Sequence, residues 1–164
     1  MGSEMCIRDR SNGINAWNST LPTSSVFTIG PAYANAGDSI AYLFNSVSGF
    51  SSIGKYTGNG NANGPHIWTG FKVGFLMVKM ISTTGHWVIV DNARSPYNVV
   101  DDKLAANLAE AENGSNTGGA NLNSFDFLSN GFKCRSNTGS TNSSGQTYIY
   151  YAVAENPFKT ARAR

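Results

Sequence analysis

An all-β sandwich is the fold this sequence predicts, and two features predict it. Gly, Asn, Ser and Thr are abundant, only 13% of residues are charged, and helix formers concentrate in one patch. Such a chain favours many short strands joined by turns over a helical bundle. The second feature is the stretch at 70–91, GFKVGFLMVKMISTTGHWVIVD. Its runs at 71–81 and 87–90 are rich in β-branched and aromatic residues, with the turn formers Ser82, Thr83, Thr84 and Gly85 between them. That pattern is a β-hairpin. Phe75, Met77 and Ile81 share one face of the first strand, and Leu76, Val78 and Met80 share the other. A strand apolar on both faces belongs mid-sheet, with a layer packed on each side. Leu76, Val78, Met80 and Trp87 are therefore expected among the least exposed residues.

The rest of the chain is shorter in its runs and more polar. The opening, MGSEMCIRDR, resembles the in-frame translation of a sequencing-library adapter, so residues 1–10 are expected to be foreign and native sequence to begin near Ser11. Trp17 is the one anchor of the polar stretch at 11–22. Strands are expected at 26–29 and at 39–44, the latter with Ile40, Tyr42 and Phe44 on one face. After a connector at 46–52, residues 53–57 lead into Gly58-Asn59-Gly60-Asn61-Ala62-Asn63-Gly64. That loop is too rich in Gly and Asn for regular structure and reads as a flexible connector. A short strand at 65–69 should enter the core hairpin, and Pro96 should hold a turn at 92–98. DDKLAANLAEAE at 101–112 is divided between a short helix and strands: acids at its start and Leu104 four before Leu108 favour helix, while its surroundings favour strand. Further strands are expected at 125–128, 131–135 and 147–154, and a frayed basic tail at 159–164.

With 164 residues the chain can bury one full core and part of a second. A net charge of +2 is too small to argue for nucleic acid or an anionic membrane surface as partner. No apolar run approaches bilayer length, and the first residues lack the apolar segment of a secretory signal. The two cysteines, Cys6 and Cys134, make no disulfide framework. Without Cys-x-x-Cys, and with the two histidines apart, a zinc site is disfavoured. No cofactor is expected.

Two segments look alike. SSVFTI at 24–29, a loop, then GDSIAY at 37–42 and onward to Phe50 matches SNGFKC at 129–134, a loop, then GQTYIYY at 145–151 and onward to Phe158. On this pattern residues 11–52 are the C-terminal half of a truncated repeat, and residues 53–158 are a complete β-sandwich repeat. The motifs YTGNG, GFKVGFLMVK, GHWVIVDNARSPYN, DFLSNGFK and GQTYIYYAVAENPF follow one another in this order. In that order the chain resembles an uncharacterised tandem β-sandwich domain of marine bacteriophage structural (tail or virion) proteins, often found downstream of SPRY or concanavalin A-like domains. The resemblance covers roughly residues 14–158. It implies a jelly-roll-like (concanavalin A-like) antiparallel sandwich in a virion or tail-associated protein, and it carries over no catalytic residue. Cys134 and the alanine-rich segment around Ala105 depart from it.

Candidate chemistry is sparse. His66 and His86 sit at strand mouths with no nucleophile-elbow serine or cysteine beside them. Asp101, Asp102, Glu110 and Glu112 cluster in sequence, and Asp91 and Asp126 stand in or beside strands. A glycosidase needs two such carboxyl groups facing across a cleft, whereas caps and surface acids are far commoner. A calcium site built from Asn side chains and loop carbonyls stays open. Asn18, Asn113 and Asn142 fit the glycosylation pattern, which a phage product made in bacteria does not use. Aromatic rings carry the stronger signal. Trp17, Trp68, Tyr97, Tyr148 and Tyr150 are the candidate ligand-contacting residues, since flat apolar rings stack on sugars while neighbouring polar groups orient them. The competing reading for Trp68 and Trp87 is that they fill the sandwich. The expected function is a non-enzymatic structural or adhesion module of a phage tail fibre or virion surface, with other virion proteins or further repeats as partners. A carbohydrate-binding module contacting host surface glycans is the alternative, and a glycoside hydrolase fragment a weaker third.

Overall fold

The computed structural model of the chain describes residues 20, 23, 25–31, 42–115, 124–137 and 139–158. The chain divides into two units, residues 1–45 and 46–164. In the first, the strand expected at 26–29 does not form. Thr23 closes a local turn instead: its N–H donates to the Val26 carbonyl, and its hydroxyl oxygen accepts from the N–H groups of Ser25 and Val26. A hydroxyl that serves nearby backbone competes with strand pairing. Of the strand expected at 39–44, residues 39–41 lie outside the described residues, and residues 42–44 are not in a strand.

The second unit is all-β among its described residues, as the composition predicts. Its strands are β1 (Ser51–Thr57), β2 (His66–Trp68), β3 (Val73–Met80), β4 (Trp87–Asp91), β5 (Lys103–Ala105), β6 (Phe125–Leu128), β7 (Gly131–Cys134) and β8 (Thr147–Ala154). A five-stranded sheet runs β1-β8-β3-β4-β5 and a three-stranded sheet runs β2-β7-β6, with every pairing antiparallel. The predicted hairpin is β3–β4, and β3 is the central strand of the larger sheet.

Register places the core. Gly54, Tyr150, Val78, Val88 and Ala105 form one row across the five strands. Tyr56, Tyr148 and Met80 form the row on one side, and Ala152, Leu76, Val90 and Lys103 the row on the other. From the smaller sheet Ile67, Phe132 and Phe127 point inward as a row, with Cys134 and Phe125 beside them. Phe132 is the hub. It meets Tyr56, Phe125 and Tyr150 edge to face at 6.1, 5.8 and 5.2 Å, while Tyr56 stacks on Tyr148 at 5.1 Å. Edge-to-face pairs satisfy the ring quadrupoles, so these aromatics lock the two layers together as well as excluding water.

The structure corrects three expectations and decides one that was open. The odd face of β3 is not sealed as the even face is: Phe75 and Met77 are half-exposed, whereas Leu76 and Val78 are fully buried. Trp87 stands in that same outer row, beside Lys79, and is half-buried rather than core. The strand at 66–68 joins the second sheet instead of leading into the hairpin's own. Gly70 makes the switch with a left-handed φ of +85°, while the N–H groups of Thr69 and Gly70 both donate to the Asn130 carbonyl. Within 101–112 the strand reading prevails, with no helix. Lys103 is held between β4 and Asn113, whose N–H donates to the Lys103 carbonyl and whose side-chain oxygen accepts from the Lys103 N–H.

Candidate functional site

Alternation along β2 and β7 decides what the smaller sheet presents to solvent. Ile67, Phe132 and Cys134 face the core, so His66, Trp68 and Lys133 face outward. His66 lies directly across from Lys133, which in turn lies across from Asp126 on β6. Asp126 is drawn to one side by Arg135, 3.3 Å away, while the Lys133 ammonium donates to the neutral Asn63 side chain at 2.6 Å. Trp68 is 68% exposed, although the indole is among the costliest side chains to leave in water. Its six-membered ring lies against Gly70: a Cβ there would approach Cη2 to 3.1 Å. Glycine therefore seats one part of the indole and leaves the remainder open. This face, one indole beside Lys133 and the Arg135–Asp126 ion pair, is the candidate site.

The other predicted ring residues separate. Tyr97 is exposed, in the turn segment at 92–98. Tyr148 and Tyr150 are core residues, 0% and 6% exposed, and are corrected from ligand contacts to packing. The run TYIYYAVA alternates faces, and the inward face is the one carrying both tyrosines. Their hydroxyls serve the fold. Tyr148 donates to the Gly139 carbonyl and accepts from the Ser143 N–H, and Tyr150 pairs with the Ser52 hydroxyl. Trp17 lies outside the described residues. Sequence reasoning missed Lys133 as a companion of Trp68, although the period-two alternation of HIW and GFKC places both outward once the two strands pair.

Asp91, Asp102 and Glu112 are committed to local structure. The Arg94 guanidinium bridges Asp91 and Glu112 at 2.6 and 2.7 Å. Burial alone would raise the Asp91 carboxyl, but hydrogen bonds from Arg94 and Ala93 and the Arg94 charge outweigh it and hold its pKa below the ordinary value. Asp102 accepts from the Ser95 hydroxyl and the Asn113 amide. Lys103, wholly buried on the inner face, donates its ammonium to the Asp101 carbonyl, and burial lowers its pKa against the pull of Asp101 and Asp102. His86 Nδ1 faces the Asn107 amide nitrogen, whose partner oxygen takes the Trp87 N–H. Burial pushes the Cys134 thiol up to about 12, so it is no thiolate nucleophile at neutral pH. Among the described residues no group of three or more His, Cys, Asp and Glu could hold a metal.

The glycine-asparagine loop at 58–64 corrects another expectation, because it is tied down residue by residue. Asn142, fully buried, accepts from the Asn59 N–H, and its two amide N–H donors are shared among the Asn59 side-chain oxygen and the carbonyls of Asn61 and Ser136. The N–H groups of Asn61 and Asn63 bond back to the side chains two residues earlier, and Gly60 donates to the Asn142 carbonyl. A Cβ at Gly58 would strike the Ser143 carbonyl oxygen, and one at Gly64 would come within 2.6 Å of the Cys134 carbonyl oxygen. The glycines are there for close approach, not for flexibility. Asn142, one of the glycosylation matches, has no exposed amide to offer.

Fold and surface together define an antiparallel β-sandwich module that presents side chains from a firm sheet. The chain belongs to the family described as Domain of unknown function (DUF7483), whose model matches residues 7–157. Neither the curated proteins nor the solved structures provide a match.

Proposed function

We propose that this chain is a non-enzymatic structural or adhesion module of a bacteriophage virion, carried by a tail fibre or another surface protein. Its motifs support the phage setting through their resemblance to virion domains, and the jelly-roll-like kinship and tandem-repeat context belong to the same reading. The observation that supports the non-enzymatic part is the occupation of four of the six candidate acids. Asp91 and Glu112 share Arg94, Asp126 pairs with Arg135, and Asp102 is bonded to Ser95 and Asn113. Two of the four edge strands have their outer backbone groups capped: Asn98 bonds the Phe127 backbone on β6 in both directions, and Asn113 does the same for Lys103 on β5. Partners are other virion proteins or further repeats of the same chain, without nucleic acid or membrane. Incubation with a panel of polysaccharides should release no reducing ends above the blank. Turnover that disappears on Asp101→Asn with Asp102→Asn would overturn the non-enzymatic reading. Mass spectrometry of purified particles from a phage encoding the chain should find it in the virion, and its absence would remove that setting.

The carbohydrate-binding alternative is favoured by one specific observation, the exposed and glycine-seated indole of Trp68. A flat ring held on a firm sheet beside polar side chains is how proteins stack sugars. On a glycan array the full chain should retain at least one host-surface saccharide and lose it with Trp68→Ala.

A further inference from the structure

We propose that the Trp68 face binds an acidic saccharide, with a sugar ring on the indole and its carboxylate on Lys133. The proposal rests on the carbohydrate-binding reading and adds the chemical class of the ligand. Trp68 and His66 project from the same side of β2, two residues apart. Lys133 lies opposite His66, which makes it the diagonal neighbour of Trp68. Diagonal positions across an antiparallel pair stand about 7–8 Å apart, within reach of an aromatic ring and a long side chain, so the lysine stem can bring its ammonium beside a ring stacked on the indole. Charge selects the class. The face carries Lys133, Arg135 and Asp126, and Asp126 is paired with Arg135. The Lys133 ammonium donates to the neutral Asn63 oxygen, and an ammonium has further N–H donors to offer. An anion set there gains a charge-assisted hydrogen bond without displacing an existing ion pair. His66, directly across, supplies a ring nitrogen at the same end, and the Asn63 amide, already oriented by Lys133, flanks it.

Calorimetric titration of the full chain with trigalacturonate and with the neutral trimer cellotriose tests this. Trigalacturonate should bind at least ten-fold tighter, and the preference should shrink as salt is raised. Trp68→Ala should abolish binding. Lys133→Met should weaken trigalacturonate by about ten-fold, the loss of one charge-assisted contact, and leave cellotriose unchanged. Both side chains are on the outer face, so matching melting curves will show that the variants remain folded. If both trimers bind equally and Lys133→Met alters neither, the acidic class is wrong while sugar binding stands. If neither trimer binds, or Trp68→Ala is silent, the acidic proposal falls; retention of other saccharides on the array then decides the broader reading. If Trp68→Ala instead dissolves a dimer in sedimentation, the face joins copies of the chain and the proposal is overturned.

Discussion

Asn142 shows how much one side chain can hold. Its amide ties the loop at 58–64 to Ser136 from a fully buried position. Each buried group left unsatisfied costs about 1–3 kcal/mol, so Asn142→Ala should destabilise by roughly 3 kcal/mol in urea unfolding. Asp91 gives a pH signature. Its folded-state pKa lies below the ordinary value, so its contribution is fully present above the unfolded carboxylate pKa of about 4 and is lost as pH falls through the folded one. Both partners are partly solvated, which limits the effect to about 1 kcal/mol or less. Arg94→Ala should flatten that part of the acid limb in melts taken between neutral and strongly acidic pH. Trp68→Ala belongs at the other extreme: an exposed ring contributes little packing, and stability should stay within about 0.5 kcal/mol.

At the scale of elements, β3 is the strand whose loss the fold cannot absorb. It pairs on both sides, with β4 and with β8, and its even residues form the floor of the core. Val78→Asp would set an unpaired charge against Tyr150 and Val88 in the register row, and the variant should fail to fold. A soluble Val78→Asp protein with a cooperative melt would place β3 at an edge. The smaller sheet should be more tolerant on its outer face, where His66 and Lys133 meet solvent and a few polar contacts.

For the whole molecule, the hydrophobic core cluster among the described residues lies between Tyr56 and Ala154, all within the second unit. Residues 46–50 also brace β1. The Ser46 hydroxyl accepts from the Ile53 N–H, Val47 bonds Ser51, and Phe50 stacks on Phe158 at 5.5 Å. Residues 46–164 expressed alone should therefore melt cooperatively. A fragment of residues 53–158 should melt lower, because it loses the start of β1 and the Phe50 ring. Failure of the longer fragment to fold would make the two units one interleaved domain.

What the sequence by itself determined is the hairpin at the centre of the second unit and the strands β2, β6, β7 and β8, whereas β1 begins inside the expected connector at 46–52 and β5 lies in the segment divided between helix and strand. Period-two alternation and turn chemistry are local, and β8 stands where TYIYYAVA placed it. Only the tertiary structure decided which face of each strand is the inside. TYIYYAVA has rings on both faces, and the pairing of Tyr150 with Val78 and Gly54 turned two candidate sugar contacts into core. Sheet membership was equally non-local. HIW reads the same whether it extends the hairpin or crosses over, and the Asn130 carbonyl that receives Thr69 and Gly70 lies sixty residues away in the chain, roughly speaking, beyond any sequence window. The Asn142 corner was hidden for the same reason, since its partners come from a separate loop. The candidate site was half legible: the sequence named Trp68, and folding set Lys133 beside it.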